Sequence, residues 1–307
     1  MERKLSKFKG CLVGLAVGDS LGARRQGAAG AEAADLAPRY SDDTVLSLGV
    51  AESLADLGEF HYWHMTENLI RYYEQEPWRR YGNTVSRVFR MMRNGRLGFG
   101  MLDRDIFPEG SYGNGAVVRV SPVGLLYHDD PRTLRDIAYH CASITHSHEL
   151  ALEGAVVHAC AIALSVLSES GEIIPSEFLA LLRLITNSPP YQEKLKLVFR
   201  FLEEGCSKKD VVEQLGNGGS ALNSVPTAIY TVLANKDFKS ALLNAAELGG
   251  TTDDTLCAMT GAIAGARYGI EGIPSQWQET VENGERTERI AKRLWETKAS
   301  GKECPSS

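Results

Sequence analysis

Hydrophobic positions recur with a helical period along most of the chain. From Phe8, the apolar residues Cys11, Leu12, Leu15 and Ala16 fall at i+3, i+4, i+7 and i+8, the stripe of a helix that faces a core. Gly10, Gly14 and Gly18 lie four apart on the same helix. Glycine lowers helix propensity, but at this spacing it lets another backbone approach closely, which predicts a central, tightly packed helix ending near Gly22. A second helix opens at Ser41, carries Leu46, Val50, Leu54 and Leu57 along one face and stops at Gly58. Further periodic apolar stretches cover 60–73, 84–92, 134–144, 151–167, 177–185 and 194–204, then 208–215, 225–233, 238–248 and 255–268. The segment 24–40 is rich in Ala and Gly, contains Pro38 and has no clean period, so it reads as a mobile loop. Turn chemistry marks 94–115, 187–191 and 216–220 as further loops. Alternation with period two is scarce, and only 116–120 suggests a strand, so the expected fold class is all-α.

Composition narrows the possibilities. With 43% hydrophobic and 23% charged residues among 307, the chain can bury a large core, which sets aside disordered and collagen-like classes. No linker divides it, so one domain over 1–296 is expected, followed by a small, polar, Pro-containing tail over 297–307 that should fray. A formal charge of −6 argues against a broad nucleic-acid surface, which needs clustered Lys and Arg to displace counterions. The N-terminal residues lack the apolar core of a secretory signal, and no run is expected to reach the roughly 18 apolar residues of a membrane span. Six cysteines without a CxxC pair suit a reducing compartment. The expectation is a cytoplasmic monomer without nucleic-acid or membrane partners.

The candidate chemistry lies in an echo. Ser41-Asp42-Asp43-Thr44 and Thr252-Asp253-Asp254-Thr255 each stand directly before an apolar helical run, the second behind Gly249-Gly250. One such start is ordinary capping, in which Ser or Thr and a first-turn Asp satisfy free N–H groups and complement the helix dipole. Two starts with paired acids also make the oxygen-rich ligand set of a hard cation such as Mg²⁺, Mn²⁺ or Ca²⁺. If the two starts meet, one ion or a pair roughly 3.5 to 4 Å apart would relieve the repulsion among four carboxylates. Zinc fits less well, because no His or Cys accompanies the acids at ligand spacing. Between the two motifs, Gly110-Ser111-Tyr112-Gly113-Asn114-Gly115 can be a structural turn or can wrap backbone N–H groups around a phosphate without Lys. Thr145-His146-Ser147-His148 follows a helix; His146 can cap the core or contact ligand hydroxyls.

These motifs in this order strongly resemble the ADP-ribosylglycohydrolases, the family of dinitrogenase reductase activating glycohydrolase. Gly18-Asp19-Ser20-Leu21-Gly22, Ser224-Val225-Pro226-Thr227-Ala228 and the run from Met259-Thr260-Gly261 to Ala266 complete the match, which extends over residues 8–295. The Gly-Ser-Tyr-Gly-Asn-Gly stretch is most similar to the branch that cleaves serine-linked and O-acetyl-ADP-ribose. The resemblance implies an orthogonal multi-helix bundle with a magnesium site, of one or two ions, between the acidic helix starts. It implies metal ligands at Ser41, Asp42, Asp43, Asp254 and Thr255, with Asp253 beside them. Gly110, Ser111, Tyr112, Gly113 and Asn114 would line the diphosphate and ribose, and His146 would contact the ligand. The substrate would be ADP-ribose on a protein side chain or on a small conjugate.

Three positions depart from the family pattern. Ser41 stands where Thr is usual and keeps the hydroxyl. Thr252 replaces the first Asp of the second motif, with Asp253 one step late. Gln26 occupies the position of a loop Glu and cannot accept a proton as a carboxylate does. Asp43 and Asp254 are therefore the expected aids to an attacking water, with Glu32 as a substitute for the missing loop acid. The competing reading is a member that binds ADP-ribose without turnover or serves structurally, as lens crystallin relatives do. A prenyl-diphosphate enzyme is disfavoured, because no third acid follows the first at four residues; Leu46 stands there instead.

Overall fold

A computed structural model describes residues 2–27, 39–96, 100–168, 171–249 and 253–301, and only the backbone of 25–27 and 253. The helices run in the order α1 (Glu2–Gly27), α2 (Asp42–Leu57), α3 (Tyr62–Gln75), α4 (Asn83–Arg93), α5 (Gly115–Val118) and α6 (Ser121–Leu126). Then come α7 (Pro131–Ser143), α8 (Glu149–Leu167), α9 (Pro175–Ile185), α10 (Pro189–Glu204) and α11 (Lys208–Asp210). The last are α12 (Ala221–Leu233), α13 (Phe238–Leu248), α14 (Asp253–Tyr268), α15 (Ser275–Thr280) and α16 (Gly284–Ala299). Among the described residues no strand forms, as the scarcity of period-two patterning implies.

The centre of the molecule is the antiparallel pair α1 and α14. Gly10 faces Gly265, Gly14 faces Gly261 and Gly18 faces the carbonyl of Cys257. A Cβ built at any of these glycines would fall inside the van der Waals envelope of the opposite backbone. The glycine spacing in α1 is thus answered by a matching one in α14, and the two backbones lie in direct contact along about two turns of helix. Phe8, Leu12, Leu15 and Leu256, Met259 and Ile263 are fully buried around this seam. Helix α1 continues to Gly27 rather than ending near Gly22, because Gly22 stays helical while Leu21 is still packed in the core.

Several loop expectations give way to helices for local reasons. The apparent strand over 116–120 is the short α5 and the turn into α6, where Ala116, Val117, Val118 and Val120 are all buried. A short, wholly apolar run carries no period with which to tell helix from strand. Pro189 and Pro190, read as loop, form the first turn of α10, where proline's missing N–H costs nothing. The 19-residue α8 is long and apolar enough to cross a membrane, contrary to the expectation that no run would be; most of it is enclosed by the rest of the protein, as a core helix is. Helix α16, not foreseen, buries Thr287, Ile290, Ala291 and Leu294 on one stripe. It runs through Thr297, whose hydroxyl donates to the Ala55 carbonyl at 3.1 Å, so the expected fraying point lies inside a docked helix.

The seam predicts an unusual sensitivity to one methylene. Gly14→Ala or Gly261→Ala forces two backbones apart and should destabilise the protein by about 3 kcal/mol or more, whereas Gly82→Ala, where a Cβ meets nothing within 4 Å, should stay within about 0.5 kcal/mol. Urea unfolding followed by circular dichroism measures the difference.

Candidate active site

The antiparallel register of α1 and α14 sets the start of α14 beside the last turns of α1, and α2 begins at the same place. Asp19, fully buried on α1, accepts from the Ser41 N–H at 2.9 Å, from the Thr44 N–H at 3.0 Å and from the Thr44 hydroxyl at 2.6 Å. Ser41 itself is the N-cap of α2, its hydroxyl accepting from the Asp43 N–H at 3.2 Å. The free N–H groups at this helix start are therefore served by Ser41 and by a carboxylate from another helix. Asp42 and Asp43 are left to face elsewhere. The backbone entering α2 is fixed by Arg79, which donates to the Tyr40 carbonyl at 2.6 Å and to Glu282 at 2.7 Å.

Asp42 and Asp43 line a cleft of about 370 Å³ together with Asp254 and Thr255 from α14. The Thr255 side chain stands close enough to the Asp43 carboxylate to work against its rise in pKa, so the two helix starts adjoin. Electrostatics record how close the acids are. Burial first, and then the charges of Asp19 and Asp254, push Asp42 up to about 8. Burial, with Asp42 and Asp19 next, raises Asp43 well above the usual carboxylate range. Burial lifts Asp19 to about 6 even against its three hydrogen bonds. The cation facing them is Arg80, half-exposed at the cleft, whose Nη2 lies 3.0 Å from Asp254. Among the described residues no three His, Cys, Asp or Glu side chains converge as a ready ligand set.

The opposite wall is built from the 110–115 turn and His146. Gly110 adopts φ +83°, which a side chain would resist, and packs against Ser147 and His148. Ser111, Gly113 and Asn114 line the cleft. The turn is tied to the loop before α12 by a two-bond bridge, Asn114 N–H to Gly219 O at 2.9 Å and Ala221 N–H to Tyr112 O at 3.0 Å. The buried Asn114 Nδ2 has no hydrogen-bond partner, a donor set into the wall of a polar cleft. Tyr112 is exposed outside the lining, edge-on to His148 at 5.6 Å. His146 pairs Nδ1 with the Thr145 hydroxyl at 2.8 Å and turns Nε2 towards Gly113. Burial, reinforced by Arg119, lowers it to about 3, so it is a neutral imidazole. Arg119 is itself fully buried and donates to the Cys141 and Ala142 carbonyls at the end of α7.

A model of the ADP-ribosylglycohydrolase family matches residues 1–303. The chain belongs to that family, and it is a hydrolase. It is 31% identical to the ADP-ribosylhydrolase ARH3 of Bos taurus over 95% of this chain and 93% of that one, and 30% identical to the ARH3 of Homo sapiens over the same shares. An ADP-ribosylarginine hydrolase, Tri1 of Pseudomonas putida, is 25% identical over 96% of this chain and 79% of its own. Among solved structures, an ADP-ribosylglycohydrolase-related protein superposes with a TM-score of 0.73 at 26% identity, covering 97% of this chain and 100% of that one.

Of the residues expected from the sequence of this family member, Asp42, Asp43, Asp254, Thr255, Ser111, Gly113, Asn114 and His146 share one cleft. Ser41 lies buried beneath it as a cap, Gly110 takes the positive-φ corner of the turn, and Tyr112 sits outside the lining. Glu32 and Thr252, and the side chains of Gln26 and Asp253, lie outside the described residues. Arg80 and Thr84, also in the lining, were not foreseen, since they fall in a loop and a helix start without a motif. Asp19 had a signal that could have been used: an acid amid glycines and apolar residues of a core helix must find partners.

The acid cluster makes stability depend on pH with a definite sign. Asp19 and Asp42 have native pKa values raised above the unfolded value near 4, so the native state binds more protons than the unfolded one. Their contribution is complete below about pH 4 and is lost as pH climbs through about 6 and then 8. In chelator-treated protein the melting temperature should fall between pH 5.5 and 8.5, and Asp42→Asn should flatten the slope. Differential scanning calorimetry across that range decides it.

Proposed function

We propose that the protein hydrolyses the bond from the anomeric carbon of an ADP-ribosyl group to an oxygen acceptor, a serine side chain or a small O-acyl conjugate, with the help of Mg²⁺ or Mn²⁺. The observation that carries this is the two-sided cleft: carboxylates from two helix starts on one side, unpaired and neutral hydrogen-bond donors on the other. The donor chemistry fits a hard divalent cation, as one ion or two. Asp42, Asp43, Asp254 and Thr255 offer only oxygens, Ser41 and Asp253 adjoin them in sequence, and the buried acids lack a full counter-charge of their own. Bound among them, such an ion supplies neutralising charge and lowers the pKa of an attached water.

The residues of the chain divide the remaining work. The 110–115 turn receives the diphosphate and ribose through Ser111 and the free Nδ2 of Asn114. Neutral His146 meets a ligand hydroxyl through Nε2 without adding charge. Asp43 and Asp254 are the carboxylates of the cleft able to take a proton from water as its oxygen bonds to the anomeric carbon and the bond to the acceptor oxygen breaks; the proton so taken is then passed to the departing oxygen. The guanidinium of Arg80 beside Asp254 disfavours a second guanidinium there, which supports an oxygen-linked rather than an arginine-linked substrate. The chain is also less similar to Tri1, the relative named for an arginine linkage, than to ARH3.

Peptides carrying ADP-ribose on serine or on arginine, incubated with the protein and read by mass spectrometry, test the reading. Release from serine should outpace release from arginine, chelation should suppress it and added Mg²⁺ restore it. Asp43→Asn should lower kcat/KM by about 100-fold or more. An intact serine modification at high enzyme concentration would refute turnover, and full activity under chelation would refute the role of the metal.

A further inference from the structure

The cleft's donor wall is made from two segments far apart in sequence, the 110–115 turn and the 145–147 turn. Both are held from behind by one carboxylate. Asp103, on the 3₁₀ turn Leu102–Asp105, is 1% exposed. Its Oδ2 accepts from the Ser111 N–H at 2.7 Å and from the Ser147 N–H at 2.8 Å. Next to it, Arg104 donates from Nε to the Ser147 hydroxyl at 3.1 Å, so the same 3₁₀ turn grips the second segment twice. Oδ1 of Asp103 is buried without a partner, so the carboxylate has been desolvated for the sake of two backbone contacts.

The two amides it holds flank the ligand-facing groups. Ser111 lines the cleft and its hydroxyl accepts from Thr84 Oγ1 at 3.3 Å; Ser147 directly follows His146. The ideal Cβ position of Gly113 is 3.3 Å from His146 Nε2, so the two segments touch across the wall. Neither is regular secondary structure, and Asp103 is a side chain that bonds to the backbone of both. We propose that Asp103 is a positioning residue, which locks the glycine-rich turn to the His146 segment so that both donors meet one ligand at a fixed separation.

The inference rests on the reading of this cleft as an ADP-ribose site, and its test has one arm that needs no ligand. Amide hydrogen exchange in the wild-type protein should show protection at both Ser111 and Ser147, although both lie in loops; free exchange at either overturns the proposal whatever becomes of the variants. Asp103→Ala should speed exchange at both amides together, while Asp103→Asn, which keeps an acceptor oxygen, should retain most of the protection. By calorimetric titration, Asp103→Ala should weaken ADP-ribose by about tenfold or more and Asp103→Asn by about threefold or less. Unchanged exchange in Asp103→Ala, or ADP-ribose bound as in wild type, would overturn it. If the wild type binds no ADP-ribose, the reading of the site fails, and the exchange data still decide whether Asp103 holds the wall.

Discussion

The site exists because two glycine-faced helices touch backbone to backbone. With Gly10, Gly14 and Gly18 set against Gly265, Gly261 and the Cys257 carbonyl, α1 and α14 are fixed in register as well as in distance. Such a contact tolerates no sliding, since moving by one residue would rotate a Cβ into the seam. That register carries the start of α14 to Asp19, and Asp19 in turn carries the start of α2. Residues more than two hundred positions apart thereby form one acidic surface.

The arrangement trades stability for charge. Ordinarily an Asp in a first helical turn satisfies its own helix. Here Ser41 and Asp19 take that duty, and the adjacent acids stand in a buried cluster that repels itself. Across the cleft the chain places groups without negative charge: a neutral imidazole, a serine hydroxyl and a side-chain amide, with buried Arg119 behind them. The two sides of the cleft therefore present different chemistry to whatever enters it.

Much of this was legible in the sequence. The all-α class follows from the 3.6-residue period, the close packing of α1 from its glycines, and the acidic pair of helix starts from their repetition. The reading failed where local pattern and tertiary role part company. A buried apolar turn such as 116–118 carries no period, a Pro-Pro pair begins a helix as readily as it breaks one, and α16 is polar on all but one stripe. In the site, motif residues could be read; residues that matter only by position could not. Arg80, Thr84 and Asp103 reach the cleft or brace it from a loop, a helix start and a short 3₁₀ turn, and nothing in their neighbours announces it.

The borrowed cap on α2 has a practical side. Because the helix start is secured by Ser41 and Asp19, the carboxylates of Asp42 and Asp43 can be exchanged for amides without removing the groups that cap α2. Charge within the cleft is thus separable from the scaffold that presents it. A chain altered only at those two side chains keeps the opposite wall intact, so it isolates what the negative charge alone contributes to the cleft.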